Sequence, residues 1–337
     1  MLAQLPTELK INIIEHVDKR SLPAVLRTNS TFREVAELAL YSVVLLSPFD
    51  GAWKPAIECF RTMVARPSVA AAVRTLHVLL ESGRGYEDDI ARVLFETMGE
   101  ALMKLENLQK LELPGWDDIG RSRSPTIPLP RGSLLPSLRH YYGPAEVIDN
   151  IQSGVLATVR ITSWRPRAVE VSRALLSASR FSAETLRALD IVRDLRDDDE
   201  EWLGTVLRIL PLFPNLRFLG LGAWHRVDDR LIDQLIPSLT TLGGLRLFCI
   251  AERWVMVSET EGRLIRRLHG GCPQLRAVAL GGHEWRFSEE LQQWTPPPRC
   301  SVSSPRTDEI WARNDYQKYL VDPQTDGFDY QLTDELV

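Results

Sequence analysis

The chain begins with a short stretch in which aliphatic residues recur at helical spacing. It reads LPTELKINIIEHV. In a helix, with about 100° between successive residues, its aliphatic side chains cover roughly twice the arc that one buried side requires. These side chains belong to Leu9, Ile11, Ile13, Ile14 and Val17. The pattern predicts a helix with two apolar sides, one that packs on the chain itself and one that binds a partner.

Two further short helices are predicted next. Ser21 can cap SLPAVLRT, and Thr31 with Glu34 has the spacing of a capping box at the start of the following helix. The segment LYSVVLL then predicts a strand, because it is rich in β-branched residues. Three helices in about 40 residues are near the size below which a core is rarely self-sufficient. Their spare apolar surface is therefore expected to contact the rest of the chain or another protein.

Past residue 70 a motif of the form L-x-x-L-x-L recurs, and apolar-periodic stretches such as DDIARVLFETMGEALMKL lie between its copies. The copies are VRTLHV (73–78), LQKLEL (108–113), LRHYYG (138–143), LATVRI (156–161), LRALDI (186–191), LRFLGL (216–221), LGGLRL (242–247) and LRAVAL (275–280). Self-similarity at a period of about 30 residues is typical of a solenoid. One strand and one helix per unit resemble irregular leucine-rich repeats. This resemblance implies an α/β solenoid with a concave parallel sheet and convex helices.

One residue of each predicted strand is expected to face the concave side, because side chains alternate along a strand. In chain order these residues are His77, Glu112, Tyr142, Arg160, Asp190, Gly220, Arg246 and Ala279. The row mixes both charges with an aromatic ring, which suits a protein or peptide target better than a phosphate group. Any solvated sheet face would also look like this. The residues predicted to bind the target are Glu112, Tyr142, Arg160, Asp190 and Arg246.

Three tryptophans follow predicted strands at the same offset. They are Trp116, Trp164 and Trp224, in LELPGW, RITSW and LGLGAW. The leucine-rich consensus has an asparagine at this position, and its amide binds the neighbouring turns. Tryptophan cannot form that ladder, so the turns must be held in another way. Two interpretations stay open: the rings fill the edge of the core, or they form an aromatic rim that binds the target.

Composition narrows the possible partners. The formal net charge is -5, and five acidic residues with no Lys or Arg follow Tyr319, so the rest of the chain is nearly neutral. A neutral body lacks the basic field that nucleic-acid binding requires, and no nucleic acid is predicted as a partner. The opening stretch is too interrupted for a signal peptide, and the longest apolar run is too short to cross a membrane. A cytoplasmic or nuclear protein is expected.

Candidate chemistry is sparse. The four cysteines are far apart, with no C-x-x-C and no histidine at ligand spacing, which favours reduced thiols over a disulfide framework or a metal site. The acidic run RDDDEE (196–201) could bind a divalent cation, but capping of the following helix explains it more simply. No catalytic motif is present. We therefore predict no metal, no cofactor and no enzymatic activity, although folding could still assemble a site from distant residues.

The residues from LPTELKINIIEHV to TFREVA resemble an F-box, the fungal type in particular. Its pattern is a Leu-Pro-x-Glu start, an apolar helix, a Leu-rich middle and an aromatic residue near the end. Phe32 stands where the family usually has Trp, and Asn29 and Ser30 replace its usual Val-Cys. The resemblance implies that the helices bind the Skp adaptor subunit of a cullin-based ubiquitin ligase. The residues implied in this contact are Leu5, Pro6, Leu9, Ile13, Val17, Leu26 and Phe32.

Three regions are predicted: an F-box at 1–45, a repeat region at 46–290, and a linker with an acidic tail at 291–337. The function implied by the resemblance is that of a substrate-recognition adaptor in a Skp–cullin–F-box ligase, with an unidentified protein target held by the repeats. The alternative is a non-catalytic leucine-rich-repeat scaffold, in which the F-box-like helices only cap the solenoid.

Overall fold

The structure is a computed structural model. It describes residues 6–18, 20–28, 30–47, 53–79, 88–114, 127–162, 168–194, 200–224, 227–252, 258–280 and 283–295. Leu5, Trp116, Trp164, most of the acidic run at 196–201 and the predicted tail beyond residue 295 lie outside these ranges. The fold is mixed α/β, with helices packed on a large and mostly parallel sheet.

The three predicted N-terminal helices are present. They are α1 (Thr7–Glu15), α2 (Leu22–Thr28) and α3 (Ser30–Ser42), and α3 begins one residue before the predicted capping box. Ile14, Leu22, Phe32 and Ala36 form their common buried cluster, which is separate from the core of the sheet. The helix α3 continues directly into the first strand, so the three-helix unit is joined to the sheet.

Helices and strands alternate through most of the remaining chain. The other helices are α4 (Trp53–Ala65), α5 (Pro67–Ala72), α6 (Asp88–Leu102), α7 (Ala145–Asn150), α8 (Ala168–Ser182), α9 (Glu200–Ile209), α10 (Asp229–Thr240) and α11 (Ser258–Gly271). The strands are β1 (Val43–Leu46), β2 (Thr75–Val78), β3 (Lys110–Glu112), β4 (Ser133–Leu134), β5 (His140–Gly143), β6 (Ile151–Gln152), β7 (Thr158–Thr162), β8 (Ala188–Asp194), β9 (Phe218–Trp224), β10 (Leu247–Glu252), β11 (Ala277–Leu280), β12 (His283–Ser288) and β13 (Gln293–Thr295).

The strand order follows the chain. Within the described ranges, the large sheet has the order β1-β2-β3-β5-β7-β8-β9-β10-β11-β12-β13, while β4 and β6 form a small parallel pair of their own. All pairs from β1 to β11 are parallel, and β12 and β13 close the sheet in antiparallel orientation. The sheet extends to Thr295, which lies beyond the predicted boundary at residue 290.

One face of the sheet carries the main core. In the middle of each strand from β2 to β11, one residue is in register with its neighbours and buried among residues of the helices. These residues are Leu76, Leu111, Tyr141, Val159, Leu189, Leu219, Phe248 and Val278. The same cluster contains Phe60 of α4, Leu94 of α6 and Leu175 of α8. We call this side the helix-packed face and the other side the opposite face.

The structure corrects the register of one predicted repeat. Leu247 pairs with Phe218 on one side and with Ala277 on the other, and both of these residues are third in their motifs. The motif of this unit is therefore LRLFCI (245–250), not LGGLRL (242–247). Successive copies then begin at residues 186, 216, 245 and 275, which is a more regular spacing than predicted. Both readings fit the leucine pattern, and only the strand pairing distinguishes them.

Polar side chains connect neighbouring units in the turns that lead into the strands. Asn107 donates to the backbone oxygen of Ala71 over 2.9 Å, and Asn215 donates to that of Glu184 over 3.0 Å. The same two oxygens accept from Arg74 and Arg187. Each amide belongs to the residue just before a repeat. These two amides therefore connect neighbouring units in front of the strands, where they bond backbone oxygens of the preceding turn or helix end.

Candidate functional site

The first candidate surface lies on α1. Pro6 is exposed and precedes the helix, where its backbone oxygen accepts from Lys10. The side chains of Leu9, Ile11 and Ile13 are between 44% and 48% exposed, whereas Ile14 is buried against the other two helices. Leu9 and Ile13 are four residues apart and therefore share one side of the helix. A helix of nine residues with three half-exposed aliphatic side chains has apolar surface to spare.

The other predicted adaptor-binding residues lie deeper in the three-helix unit. Phe32 is buried in its core, and Val17 and Leu26 are partly buried against that core. Phe32 therefore supports the surface from inside and does not present its ring to a partner. Two further aliphatics are exposed but were not among the predicted adaptor-binding residues: Ile11, on another side of α1 from Leu9 and Ile13, and Leu38 on α3. Helical spacing could have predicted their exposure, because it places both residues away from the side of each helix that faces the three-helix core.

The second candidate surface is the opposite face of the sheet. In strand order its central row is His77, Glu112, Tyr142, Arg160, Asp190, Gly220, Cys249 and Ala279. Seven of these residues were predicted. Arg246 is not one of them: it precedes β10, its guanidinium donates to the backbone oxygen of Gln274, and Cys249 takes its place in the row. The misassigned register of that repeat explains the difference.

A second row runs beside the first on the opposite face and was not predicted. It consists of Thr75, Lys110, His140, Thr158, Ala188, Phe218, Leu247 and Ala277. The sequence contains the pattern that places this row. Its residues are third in each motif and those of the central row are fifth. Residues two apart along a strand share a face. From β2 to β5 both rows are polar and partly exposed. From β8 to β11 they are mostly apolar and buried.

The polar half of the opposite face centres on Glu112. One carboxylate oxygen is 2.8 Å from His77 Nδ1, and the other is 3.0 Å from Lys110 Nζ. Burial by itself would raise the pKa of Glu112, but the hydrogen bond to His77 and the charge of Lys110 hold this pKa below its ordinary value. The group is therefore ionised at neutral pH. This half presents a fixed carboxylate between two basic groups, an arrangement suited to a polar peptide.

His140 lies next to Lys110 in the second row, and its Nδ1 is 2.9 Å from Thr158 Oγ1. Burial lowers the pKa of His140 to about 4, and the charges of Lys110 and Arg139 act in the same direction. The ordinary pKa of histidine is about 6.5, so the unfolded chain binds a proton here that the folded chain excludes. The side chain is neutral at neutral pH and fills the face without adding charge.

This shift predicts a specific pH dependence of stability. Since the folded pKa of His140 is below the unfolded one, its neutral form stabilises the fold above pH 6.5, and that contribution is lost as the pH falls from about 6.5 to about 4. The loss is up to about 3 kcal/mol, because one pKa unit corresponds to about 1.4 kcal/mol. Urea unfolding at pH 7.5 and pH 4.5 measures it. In H140Q the difference between the two pH values should be smaller than in the wild type. An equal difference in both proteins would contradict the assignment.

Arg160 and Asp190 form a buried ion pair at the middle of the opposite face. Arg160 Nε is 3.2 Å from Asp190 Oδ2, and both side chains are almost fully shielded from solvent. The guanidinium carbon of Arg160 also lies 4.8 Å from the centre of the Tyr142 ring, a cation–π distance. Gly220 adjoins this pair, and a Cβ atom there would overlap the Asp190 carboxylate. These two predicted target-binding residues therefore organise the face and are not open to a target in this conformation.

The predicted tryptophan rim lies largely outside the described residues. Trp116 and Trp164 are outside them, and Trp224 is placed only by its backbone, as the last residue of β9. The described helices include none that is long and apolar enough to cross a membrane. In the same part of the chain, no group of three or more histidine, cysteine, aspartate or glutamate side chains could hold a metal ion.

Comparison with known proteins adds no assignment. The chain matches no family model, and the search of curated proteins gives no match. Any functional conclusion must therefore come from the residues and their arrangement.

Proposed function

We propose that the chain is the substrate-recognition subunit of a Skp–cullin–F-box ubiquitin ligase in the cytoplasm or nucleus. Its three N-terminal helices would bind the Skp-type adaptor. The rest would be an irregular leucine-rich-repeat solenoid that binds a target protein. The observation that carries the proposal is the exposure of Leu9, Ile11 and Ile13 on α1, in a segment whose sequence resembles an F-box.

The exposed aliphatics are sufficient for a useful contact. Full burial of one such side chain stabilises by about 1.5–3 kcal/mol, so covering a half-exposed one is worth about 1 kcal/mol. Leu9 and Ile13, which share one side of α1, would thus supply about 2 kcal/mol together, before the entropy of association is subtracted. Such a surface supports adaptor binding without any catalytic group of its own.

The order of the sheet supports the solenoid. A parallel sheet whose strands follow the chain order, with helices in between and side-chain amides that bond neighbouring units in the turns, is what stacked leucine-rich repeats produce. The chain would then act by positioning the target protein. Holding a target beside the ubiquitin-conjugating enzyme raises the effective concentration of its lysines, and the chain itself forms or breaks no bond.

One observation favours the alternative, a scaffold whose helices only cap the sheet. The helix α3 runs directly into β1, and Glu37 of α3 is joined to Arg66 by two hydrogen bonds, one of them 2.7 Å long. The three-helix unit is therefore fastened to the rest of the chain as a cap would be. A cap has no need of exposed leucine and isoleucine on α1, so the experiment examines these side chains.

We expect the tagged full chain to co-purify with a Skp-type adaptor and the L9D/I13D variant to recover at least about tenfold less. Both side chains are half-exposed, so the substitutions remove contact surface and add charge without opening a core. The matched control is V169D/L176D, which changes two exposed aliphatics of α8, and it should recover the adaptor like the wild type. Equal recovery by wild type and L9D/I13D would overturn the proposal and favour the cap.

A further inference from the structure

Arginine recurs at one position of the repeats, directly before the first residue of a strand of the large sheet. From β2 to β11 the residues at this position are Arg74, Gln109, Arg139, Ala157, Arg187, Arg217, Arg246 and Arg276. Most of them are arginines, and the last four follow one another without interruption. We call this set the arginine row. It lies at the edge of the sheet where the strands begin.

Backbone hydrogen bonds hold the arginine row in register. The backbone N–H of Arg217 donates to the backbone oxygen of Arg187 over 2.8 Å, and bonds of the same length join Arg246 to Arg217 and Arg276 to Arg246. Because each bond connects equivalent residues of neighbouring units, the side chains leave the backbone at the strand spacing of about 4.8 Å. The four consecutive arginines therefore span about 14 Å, and the whole row spans about 34 Å.

The fold uses only part of the hydrogen-bonding capacity of these side chains. Arg74, Arg187 and Arg276 each donate to the backbone oxygen three residues earlier, over 3.0 to 3.1 Å. Arg246 donates to the backbone oxygen of Gln274 over 3.1 Å. A guanidinium group has five N–H donors. Within the described part of the chain, Arg187 and Arg246 therefore keep donors for a further acceptor.

The carboxylates around the four consecutive arginines do not neutralise them. Among the described residues, Arg187 and Arg246 have no carboxylate partner, and Arg276 pairs with the largely exposed Glu289 over 2.8 Å. The carboxylate of Glu184, in the turn before Arg187, accepts from an asparagine side chain instead. Like charges held side by side in register repel one another. The row is therefore a line of positive charge that an anion lying across it would stabilise.

We propose that the arginine row binds an extended, acidic segment of a partner protein. Carboxylates match guanidinium groups both in charge and in hydrogen-bond geometry. An extended chain advances about 6.8 Å for every two residues, so about five residues cross the four consecutive arginines and about eleven cross the whole row. That this partner is the target of a ligase rests on the proposed function, whereas the binding of an acidic segment to the row does not.

The surroundings of the row suit an acidic protein segment better than a nucleic acid. The strand residues next to the four consecutive arginines are apolar and buried: Ala188, Phe218, Leu247 and Ala277. They offer a nucleic acid neither polar groups that read its bases nor an exposed ring on which a base could stack. The whole chain has a net charge of -5, which would repel a long polyanion beyond the row. A short acidic segment avoids that repulsion.

Fluorescence anisotropy with a labelled peptide of about twelve glutamates and the purified full-length chain tests the inference. At about 50 mM salt the wild type should bind the peptide saturably, and about 300 mM salt should weaken binding at least about tenfold, because salt screens the charges. R187Q/R217Q/R246Q removes three consecutive charges and should bind at least about tenfold more weakly. No saturable binding by the wild type, or the same dissociation constant for this variant, would overturn the inference.

The matched control R92Q/R173Q/R263Q removes the same number of charges at the other edge of the sheet. These arginines are exposed near the amino-terminal ends of α6, α8 and α11, and each helix begins near the end of a strand and returns to the start of the next. The control should bind the peptide like the wild type. Equal weakening in the control and in R187Q/R217Q/R246Q would overturn the inference, because net charge would then explain both.

A cross-linking measurement on the wild type decides the matter if circular dichroism shows that R187Q/R217Q/R246Q is unfolded. The glutamate peptide then carries the photoreactive residue p-benzoylphenylalanine at its centre. Irradiation should join it to the turns before β8 to β11, and mass spectrometry locates the cross-links. Cross-links that map only to other parts of the chain would overturn the inference.

Other occupants of the row give distinct results. Tighter binding of a labelled oligonucleotide of about twelve thymidines than of the glutamate peptide would overturn the inference in favour of a nucleic acid. The five acidic residues beyond Tyr319 can be replaced by their amides in the full-length chain. Peptide binding that appears only in that variant would identify the chain itself as the occupant and overturn the inference. R187Q/R217Q/R246Q should recover the Skp-type adaptor like the wild type, so this test and that of adaptor binding fail separately.

Discussion

Replacing Asp190 by alanine should lower the free energy of unfolding by about 3–5 kcal/mol, because it leaves the buried guanidinium of Arg160 without this carboxylate. Both side chains are shielded from solvent in the middle of the opposite face, where a guanidinium that loses this carboxylate regains little hydration. Tyr142 compensates only in part, since a cation–π contact is worth about 0.5–2 kcal/mol. Urea unfolding at neutral pH, monitored by circular dichroism, measures the change.

The double variant R160M/D190V separates the charge effect from loss of packing. It removes both charges and keeps approximate volume, so its stability should lie within about 1–2 kcal/mol of the wild type and clearly above that of D190A. A cost below about 1 kcal/mol for D190A would contradict the account, because it would mean that the buried Arg160 guanidinium does not depend on this carboxylate. The comparison thus tests whether solvent is excluded from the middle of the opposite face.

The second large effect is expected at Phe32. Phe32 lies in the buried cluster of the three-helix unit, so F32A should destabilise these helices by about 3–5 kcal/mol. The half-exposed Leu9 should tolerate alanine at a cost of about 1 kcal/mol or less. Hydrogen exchange of the amides in α1, α2 and α3 measures both changes and distinguishes local opening of the unit from unfolding of the whole chain.

The two substitutions should also weaken adaptor binding in different ways. F32A acts by unfolding the surface, and stabilising the fold at lower temperature should restore part of the binding. L9A removes a contact, and its effect should not depend on the stability of the unit. Protection of α1 to α3 that is unchanged in F32A would contradict the buried position of its ring.

Elements with a strong local pattern could be predicted from the sequence. The helices α1 to α3, the strand at LYSVVLL and seven of the eight repeat strands are present where periodicity places them, because apolar spacing alone determines which side chains can be buried together. The remaining repeat, LGGLRL (242–247), was predicted three residues too early. Leu242, Leu245 and Leu247 satisfy the motif in the predicted register, whereas Leu245, Phe248 and Ile250 satisfy it in the observed one, and only pairing with β9 and β11 distinguishes the two.

The candidate surfaces could be predicted only in part, because the exposure of a side chain depends on tertiary contacts. The apolar arc of α1 correctly indicated spare surface, but it could not show that Phe32 lies inside the unit and Ile11 outside. Likewise, alternation placed Arg160 and Asp190 on the opposite face without revealing that this part is buried. Glu261 of α11 shows the same limit. Its side chain is fully buried and accepts a hydrogen bond from Trp285 Nε1 of β12, which helical spacing could not indicate.

Adaptor binding is tested most directly by titrating the purified full-length chain with a purified Skp-type adaptor in a calorimeter. The account predicts saturable one-to-one binding by the wild type and by V169D/L176D. For L9D/I13D it predicts a dissociation constant at least about 30-fold higher, because each exposed aliphatic contributes about 1 kcal/mol and the new carboxylates would have to be desolvated. No heat of binding with the wild type, or the same dissociation constant for L9D/I13D, would contradict the claim that α1 is the adaptor-binding helix.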